Sequence, residues 1–409
     1  MLTPQQREQF SEIFEELAKS LDITKKEYED AVTSYQFVGR WLAGEDSELA
    51  VYQPEILPQG SFLLGTMIRP VHEDDDLDID LVCRLVGKRD NWAQFHLKQA
   101  VGNRLKAHGT LERMLRVPDG RRCWTLDYAE ESRFHMDVLP AIVWQGYQIL
   151  LEKAFSNSFR DQDIASLAIR ITDKEARNYK VATDPLEWLL SNMFGYAAWF
   201  KDRSDINLVK AINLREAIKP VPTFQVHKTP LQRIVQILKR HRDIMFNGDE
   251  DKPISIIITT LAALAYRKQT DIMTGLQEVV VEVDRYIEDH YDPATDTWYK
   301  WIGNPVNSLE NFADKWRTHP KRQTKFYEWL QAVKQDITYV TSQRQLPAIR
   351  EALSRPFGGR VIDKVFNNMA TTKRELREQG GLRMAAGTGM LGNIGRTSVS
   401  DHSFFGSNE

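Results

Sequence analysis

The stretch from Gln59 to Leu85, QGSFLLGTMIRPVHEDDDLDIDLVCRL, decides how the rest of the chain is interpreted. It begins with a Gly-Ser turn, continues through a short helix-like run and an acidic loop, and ends in a predicted strand. In that strand Asp78 and Asp80 alternate with aliphatic residues, and successive strand side chains point to opposite faces. We therefore expect both carboxylates on one face of the strand and the aliphatic side chains buried on the other.

Two neighbouring carboxylates in a partly buried strand repel each other unless they share a proton or a cation. Hard oxygen ligands of this kind suit magnesium, which keeps waters and substrate phosphates as its other ligands. A third candidate, Asp137, is flanked by apolar residues in the predicted strand 133–143, RFHMDVLPAIV. If this strand lies beside that of Asp78 and Asp80, the three carboxylates meet at one metal site. At the level of the sequence this adjacency is a hypothesis.

Three clustered carboxylates are what the transfer of a nucleoside monophosphate from a triphosphate to a hydroxyl requires. In this in-line displacement, two metal ions about 4 Å apart stabilise the attacking and leaving oxygens. Asp78 and Asp80 would hold both ions, and Asp137 would complete the site of the ion that activates the hydroxyl. Gly60 lets the backbone approach a phosphate closely, and Ser61 adds a hydroxyl and an exposed N–H. The sequence therefore predicts a nucleotidyl-transfer centre with these three aspartates as the catalytic and metal-binding residues.

The composition excludes several other classes of protein. The 409 residues include 42% hydrophobic and 27% charged residues, as in a soluble globular protein. A net charge of −3 gives no overall field to hold a long nucleic acid by its phosphates. Cys83 and Cys123 form neither a disulfide framework nor a zinc motif, which predicts a reducing, cytoplasmic location. We expect no signal peptide and no transmembrane segment.

Patterning along the chain predicts a two-lobed architecture. Thr3 and Thr24 each begin a helix with a capping box. We expect both helices to form a scaffold behind the catalytic sheet, with a partner-binding helix as the alternative. We expect a helix over 91–108 and a strand over 122–128, and from Pro185 onward most of the chain has helical spacing, including predicted helices over 272–291 and 308–340. The expected domains are a catalytic lobe at 1–160, a helical lobe completing the nucleotide cleft at 161–376, and a flexible Gly/Ser-rich tail at 377–409.

The Gly-Ser turn, the DxD of Asp78 and Asp80, and the later Asp137 resemble the three-part signature of DNA polymerase β-like nucleotidyltransferases. More narrowly, QGSFLLGT, DLDIDLV and FHMDVLP are similar to the bacterial relatives of cyclic GMP-AMP synthase and oligoadenylate synthase. These are the cGAS/DncV-like nucleotidyltransferases, or CD-NTases, of anti-phage (CBASS) signalling. The resemblance spans roughly residues 50–345. It implies an α/β (α+β) fold with a mixed β-sheet catalytic lobe, N-terminal scaffold helices and a helical C-terminal lobe.

The resemblance also implies nucleotide-binding residues. LQRIVQILKRHRD and PISIIITTLAALAY are similar to paired helices of the family in which a Lys and a later Ser contact the triphosphate. These residues correspond to Lys239 and Ser255, which join Gln59, Gly60 and Ser61 as candidates for nucleotide binding. From the residues alone, the basic cluster around Lys239 could also be a solvated helix face, and Ser255 a helix-start hydroxyl.

The activity implied by the resemblance is the synthesis of cyclic di- or trinucleotides from nucleoside triphosphates such as ATP or GTP. Magnesium is the implied cofactor, as two ions, with manganese as an alternative. The product would switch on a separate effector, and the regulator would be a conjugating partner or a HORMA-type protein. We expect a monomer that requires neither long nucleic acid nor a membrane.

Two other functions stay open at this point. One is a nucleotidyltransferase that modifies RNA or protein, as toxin-related members of the superfamily do. The other is an inactive nucleotide-sensing module on the same fold, which the intact set of carboxylates disfavours. The acidic run 73–76 is interpreted as a solvated loop, with an influence on the metal as the alternative. His135 is interpreted as structural, with a place beside the metal site as the alternative.

Overall fold

A mixed β-sheet and a helical bundle form the two main parts of the structure. The computed structural model describes residues 2–72, 75–128, 134–144, 167–206, 224–384, 391–392 and 397–399. Within these residues, no helix combines the length and the apolar composition that crossing a membrane requires. The mixed α/β architecture is the predicted fold class.

The sheet has six strands, and its two longest strands lie side by side. The strands are β1 (Glu55–Pro58), β2 (Leu77–Val86), β3 (Trp124–Asp127), β4 (Phe134–Val143), β5 (Ile169–Ile171) and β6 (Leu189–Ser191). Their order is β1-β2-β4-β5-β6, and β3 also pairs with β4. Strands β2 and β4 are parallel over their full ten residues, whereas the other pairs are antiparallel. The predicted adjacency of the two aspartate-bearing strands is therefore confirmed.

Twelve α-helices lie in the described residues. They are α1 (Pro4–Ser20), α2 (Lys25–Leu42), α3 (Gly60–Leu64), α4 (Gln94–Lys106), α5 (Gly109–Met114), α6 (Met193–Ser204), α7 (Pro230–Phe246), α8 (Ser255–Ala265), α9 (Ile272–Glu282), α10 (Pro320–Ser342), α11 (Leu346–Phe357) and α12 (Gly359–Glu378). Seven short strands follow α9 or α12: β7 (Glu288–Asp292), β8 (Thr297–Trp301), β9 (Gly303–Asn304), β10 (Asn307–Asn311), β11 (Arg383–Met384), β12 (Leu391–Gly392) and β13 (Thr397–Ser398).

The two faces of the sheet differ as the alternation of β2 predicts. Leu77, Ile79 and Leu81 are buried, and they belong to one core cluster with residues of α2 and α4. The opposite face is polar where β2 and β4 begin and apolar further along, where Val82 and Leu139 are buried in a smaller cluster. The alternation thus places the aspartates on the face opposite the main core, at the polar end where β2 and β4 begin.

The helical part of the molecule is built around α7. Every residue of α7 from Leu231 to Arg242 is buried, and its apolar residues share one core cluster with residues of α1 and of α8 to α12. The predicted start of α7 is confirmed, because Thr229 and Gln232 form a capping box with Pro230 at the first helical position. The capping boxes at Thr3 and Thr24 are also present.

The structure differs from the sequence-based expectations in three places. Helix α2 packs behind the sheet as expected, but α1 does not, because Phe10, Phe14 and Leu17 are buried in the helical bundle. The expectation that both N-terminal helices back the sheet is therefore wrong for α1. The sheet also continues past residue 160 into β5 and β6. The domain boundaries stay a prediction.

The third difference lies between α9 and α10. We expected helices over 272–291 and 308–340, but α9 ends at Glu282 and α10 begins at Pro320. Between them β7 and β8 form an antiparallel hairpin, and β10 pairs with β9. The hairpin turn contains Asp296 with a φ of 52°, a left-handed conformation that ends a helix. At the C-terminus α12 continues to Glu378, and most of the predicted flexible tail lies outside the described residues.

Candidate active site

The parallel register of β2 and β4 places the three predicted aspartates together. Asp80 lies directly opposite Asp137, and Asp78 lies directly opposite His135. Because neighbouring strands are about 4.8 Å apart and paired residues share a face, the side chains of these four residues form one polar patch. The structure thus brings together three carboxylates that lie up to 59 residues apart in the sequence, which is 137 minus 78.

Strand β3 extends this patch on the far side of β4. Thr125 lies opposite Asp137, and its hydroxyl donates a hydrogen bond to the Asp137 carboxylate. Asp127, two residues after Thr125 in β3, lies opposite His135 and therefore on the same face of the sheet. Thr125 was not selected from the sequence, because its importance depends on the pairing of β3 with β4. Thr125 holds Asp137 in one orientation.

Negative charge is concentrated at Asp80. Its pKa is raised to about 6 by burial first, and then by the charges of Asp78 and Asp137. A carboxylate that is surrounded in this way is stabilised by a proton or by a cation. The electrostatics therefore fit a site for positive charge among these three side chains.

In the structure, the carboxylates of Asp78 and Asp137 each contact a neighbouring side chain. The Asp78 carboxylate contacts His135 Nε2, and the hydrogen bond to Asp78 raises the pKa of His135. Asp137 accepts from Thr125. Accordingly, no group of three or more His, Cys, Asp or Glu side chains in the described ranges is arranged to hold a metal ion. For a cation to bind among the three aspartates, the Asp78 carboxylate would have to leave its contact with His135. From the sequence, His135 was interpreted as structural or as a neighbour of the metal site.

The Gly-Ser turn is held against Asp80. The backbone N–H of Gln59 donates to the carbonyl oxygen of Asp80 at 2.9 Å. Gly60 has a φ of 56°, and a Cβ atom there would lie 2.4 Å from Asp80 Oδ2. Glycine is therefore required at position 60 for two reasons: the backbone is left-handed there, and the Asp80 carboxylate lies too close for a Cβ atom. Gly60 and Ser61 line the cleft described below, whereas Gln59 bonds to the backbone of β2 and is not among the lining residues.

Helix α7 holds the segment that connects this turn to β2. Four of its polar side chains donate hydrogen bonds to backbone carbonyl oxygens of residues 64–70. The bonds are Gln232 to Leu64 (2.8 Å), Lys239 to Thr66 (3.1 Å), Gln236 to Met67 (2.8 Å), and Arg240 to Arg69 (2.7 Å) and Pro70 (3.2 Å). Buried polar side chains of this kind are costly unless they are satisfied. The helix therefore fixes the position of the loop that leads to Asp78.

Lys239 lies at the base of the site. Only 5% of this residue is exposed. Burial, followed by repulsion from Arg242, lowers the pKa of Lys239 to about 8, although Asp80 and Asp78 act in the opposite direction. A cation held next to these carboxylates, with one backbone carbonyl as its hydrogen-bond partner, is suited to meeting a phosphate.

Arg242 joins Ser255 to α7. Its Nη1 donates to the Ser255 hydroxyl at 2.9 Å and to the Pro253 carbonyl at 3.0 Å. Ser255 is the first residue of α8, as the helix-start interpretation predicts, and it also faces the cleft. The basic cluster of α7 is buried, so the interpretation of this cluster as a solvated face is wrong. Arg242 was not singled out from the sequence beyond its membership of this cluster.

A cleft of about 640 Å³ connects these groups. Its lining includes Gly60, Ser61, Asp78, Asp80, Lys239, Arg242 and Ser255. Asp75 and Asp76 of the acidic run also line it and are exposed, whereas residues 73 and 74 lie outside the described residues. Asp137 is on the same sheet face as Asp80 but lies beyond this lining. The cleft therefore lies on the β1 side of Asp80, and Asp137 lies on its β4 side.

Comparisons with known proteins match the part of the chain that contains this site. Residues 54–140 match the family model of the cyclic GMP-AMP synthase DncV-like nucleotidyltransferase domain, a range that contains Gly60, Ser61 and all three aspartates. A c-di-GMP synthase of Roseivirga ehrenbergii is 26% identical over 343 residues, which are 81% of this chain and 79% of that protein.

Two further relatives share most of the chain's length. The cyclic dinucleotide synthase CdnG of Bradyrhizobium diazoefficiens is 22% identical over 90% of this chain and 86% of its own. Its solved structure with GTP has a TM-score of 0.64 at 19% identity, covering 88% of this chain and 99% of CdnG. CdnC of Escherichia coli MS115-1, solved in a complex named CdnC:HORMA-deltaN, has a TM-score of 0.53 at 13% identity, covering 83% and 93%.

The matched domain contains the polar sheet face that carries Asp78, Asp80 and Asp137, and the solved structures share the fold of the chain. Residues 54–140 thus carry a DncV-like nucleotidyltransferase domain, and the similarity to cyclic dinucleotide synthases over most of the chain supports a CD-NTase.

Proposed function

We propose that this chain synthesises a cyclic di- or trinucleotide second messenger from nucleoside triphosphates. The observation that carries the proposal is the pairing of Asp80 with Asp137 on adjacent parallel strands, beside a Gly-Ser turn and a buried lysine. The names of the relatives, a c-di-GMP synthase and a cyclic dinucleotide synthase, support this activity.

The donor triphosphate would bind in the cleft. The exposed N–H groups and the hydroxyl at Gly60 and Ser61 would contact its phosphates. Lys239 and Ser255 would contact the outer phosphates, because both line the cleft on the side of α7. Gln59 would act by holding the turn on β2 rather than from the cleft wall, so its contact with nucleotide stays a prediction.

Asp78, Asp80 and Asp137 would hold the magnesium ions. The three side chains fit this cofactor, because they supply hard oxygen ligands and because the protein neutralises the negative charge around Asp80 only in part. Bound there, magnesium would activate the acceptor hydroxyl and neutralise charge on the departing pyrophosphate. Asp137 would orient toward the acceptor, held by Thr125. Asp78 would leave His135 to join the other two carboxylates.

The biological role follows the family. One active site would join two nucleotides, rebind the linear intermediate and close the ring, and the product would activate a separate effector in anti-phage defence. A HORMA-type regulator is proposed by likeness to CdnC, whose solved complex includes one. A conjugating partner at the C-terminus is the alternative regulator. The chain would act in the cytoplasm as a monomer.

The activity is tested by incubating the protein with labelled nucleoside triphosphates and magnesium, treating the mixture with phosphatase, and analysing it by mass spectrometry. We expect a small phosphatase-resistant product. The double variant Asp78→Asn, Asp80→Asn should make at least about 1000-fold less product, because two of the three carboxylates that would hold the magnesium ions are lost. Its melting temperature should be near or above that of the parent, because the repulsion is relieved.

Asp90→Asn, which changes an exposed carboxylate beyond the end of β2, is the matched control and should retain activity. Label attached to RNA or protein instead of a small product would contradict cyclisation and support the modifying enzyme. Binding of triphosphates without turnover would support the nucleotide-sensing module. Undiminished turnover in the double variant would refute the role of the aspartates.

The stability of the protein should depend on pH through Asp80. Because its pKa is raised to about 6 in the folded state, the unfolded chain ionises first as pH rises from about 4. The free energy of unfolding should therefore fall by up to about 3 kcal/mol as pH rises from about 3 to about 7, and this effect should be constant above about pH 7. Asp80→Asn removes this loss, so the variant should exceed the parent in melting temperature at pH 7.5 but not at pH 4.

Thermal unfolding of both proteins at pH 4, 6 and 7.5 measures this difference, with EDTA and then with magnesium. Magnesium should raise the melting temperature of the parent at pH 7.5 and have less effect on Asp80→Asn. A difference between the two proteins that does not change with pH would contradict the charge concentration at Asp80.

Gly60 should be essential for activity and less important for stability. Gly60→Ala places a Cβ atom against Asp80 Oδ2, so nucleotidyl transfer should fall by about 100-fold or more from displacement of the carboxylate. Gly87→Ala is the matched control, since Gly87 has a φ of 79° but open space around its Cβ position. Both variants should lose about 1 kcal/mol of stability to backbone strain. Equal activity in the two variants would show that the close approach at Gly60 is unimportant.

A further inference from the structure

Beyond the three aspartates, Arg116 shares the polar face of the sheet. Leu115 forms an antiparallel bridge with Leu126, and both leucines are buried in the core cluster on the opposite face. Because successive residues alternate between faces, Arg116 lies on the same face as Asp137 and Thr125. Its backbone N–H donates to the Thr125 carbonyl at 2.9 Å. One row across the sheet therefore reads Asp80, Asp137, Thr125, Arg116.

The side chain of Arg116 is accessible and close to this row. Its Nε and Nη2 atoms donate to Asp127 at 3.1 and 2.5 Å, and 52% of the side chain is exposed. These hydrogen bonds raise the pKa of the guanidinium, and the charges of Asp137 and Asp78 act in the same direction. The guanidinium is thus within electrostatic reach of the carboxylates, although it does not line the cleft.

The in-line geometry of phosphoryl transfer indicates a role for Arg116 on the acceptor side of the site. The attacking and leaving oxygens lie on opposite sides of the transferred phosphorus. Gly60 and Ser61 follow β1, which pairs with β2 on the side away from β4, and Lys239 faces the same cleft. With the leaving pyrophosphate on that side, the acceptor approaches from the side of β4 and β3, where Asp137 and Arg116 lie.

An acceptor that is itself a nucleotide brings a second set of phosphates to this side. Arg116 lies two strands from Asp137, a separation of about 10 Å, and its flexible side chain extends part of the way back. A nucleotide whose ribose hydroxyl is at Asp137 can span this distance with its 5′-phosphates. The exposed pair with Asp127 contributes little net free energy, so a phosphate can replace the carboxylate as the bidentate partner.

We propose that Arg116 binds the 5′-phosphates of the acceptor nucleotide and thereby selects a phosphorylated acceptor. This inference rests on the proposed nucleotidyl transfer and adds a substrate-binding residue to it. In the absence of acceptor, the Asp127 carboxylate is the hydrogen-bond partner of the Arg116 guanidinium. This contact must be released before ring closure, because the nucleotide that first acted as acceptor carries the 5′-phosphates of the linear intermediate, and these must then bind on the donor side of the cleft.

The experiment separates acceptor from donor by chemistry. The donor is a 2′,3′-dideoxynucleoside triphosphate, which has no hydroxyl to act as acceptor. The acceptor is either a nucleoside or its α,β-methylene triphosphate, which cannot donate. Guanine and adenine series are run in parallel with magnesium, and kcat/KM for formation of the linked product is measured for each acceptor. The readout is the ratio of kcat/KM for the triphosphate acceptor to that for the nucleoside, in which the amount of folded protein cancels.

We expect this ratio to fall by about tenfold or more in Arg116→Gln, because a charge-assisted bidentate contact is lost. Arg116→Lys should give an intermediate ratio, because it keeps the charge without the planar fork. Arg113→Gln removes an exposed arginine of the neighbouring α5 and should leave the ratio as in the parent.

A ratio in Arg116→Gln within about twofold of the parent's, or an equal fall in Arg113→Gln, would overturn the assignment. If the parent itself forms no linked product with either acceptor in either series, the proposed nucleotidyl transfer fails instead. The two failures are therefore distinguishable.

Discussion

The repulsion among three carboxylates on one sheet face is the constraint on which the rest of the site depends. The parallel pairing of β2 and β4 places Asp80 opposite Asp137, and alternation adds Asp78 on the same face. The protein compensates this charge only in part: His135 contacts Asp78, Thr125 bonds to Asp137, and Asp80 keeps a raised pKa. Sites that keep such an unfavourable arrangement are functional candidates, and a divalent cation bound there would relieve the repulsion.

The core stabilises this arrangement from both lobes. On the sheet side, Ile79 and Leu81 are buried against α2 and α4, so β2 cannot shift by one residue without exposing them. On the helical side, the polar side chains of α7 bond to the backbone of residues 64–70. Helix α7 thus links the helical core to the loop before Asp78. A cleft wall made of one buried helix and one paired strand positions its groups more precisely than loops would.

The sequence contained most of the information about the sheet and less about the helical lobe. Period-two alternation in β2 and β4 is a strong local signal, and the predicted faces and the predicted adjacency are both confirmed. Helix α1 was misplaced because an amphipathic stripe says that a face is buried but not against what. The hairpin of β7 and β8 was missed because its polar residues break the helical period only weakly, and the turn at Asp296 was not recognised.

Among the site residues, too, those with a local sequence signal were predicted and those that depend on long-range contacts were not. Asp78, Asp80, Asp137, Gly60 and Ser61 were selected from the sequence, and the structure places them on one face or around one turn. Thr125 and Arg116 could not be selected, because their importance depends on the pairing of β3 with β4 and on the bridge at Leu115. Such pairings are long-range facts that local patterns do not encode. The roles of Lys239 and Ser255 came from resemblance, and the cleft adds their shared location.

The most direct measurement for this account is a crystal structure grown with manganese and a non-hydrolysable nucleoside triphosphate, with diffraction data collected at the manganese absorption edge. The account predicts anomalous peaks among the carboxylates of Asp78, Asp80 and Asp137, with Asp78 turned away from His135. Peaks confined to the acidic loop at Asp75 and Asp76, or nucleotide bound with Asp78 still on His135 and no ion at Asp80, would contradict it.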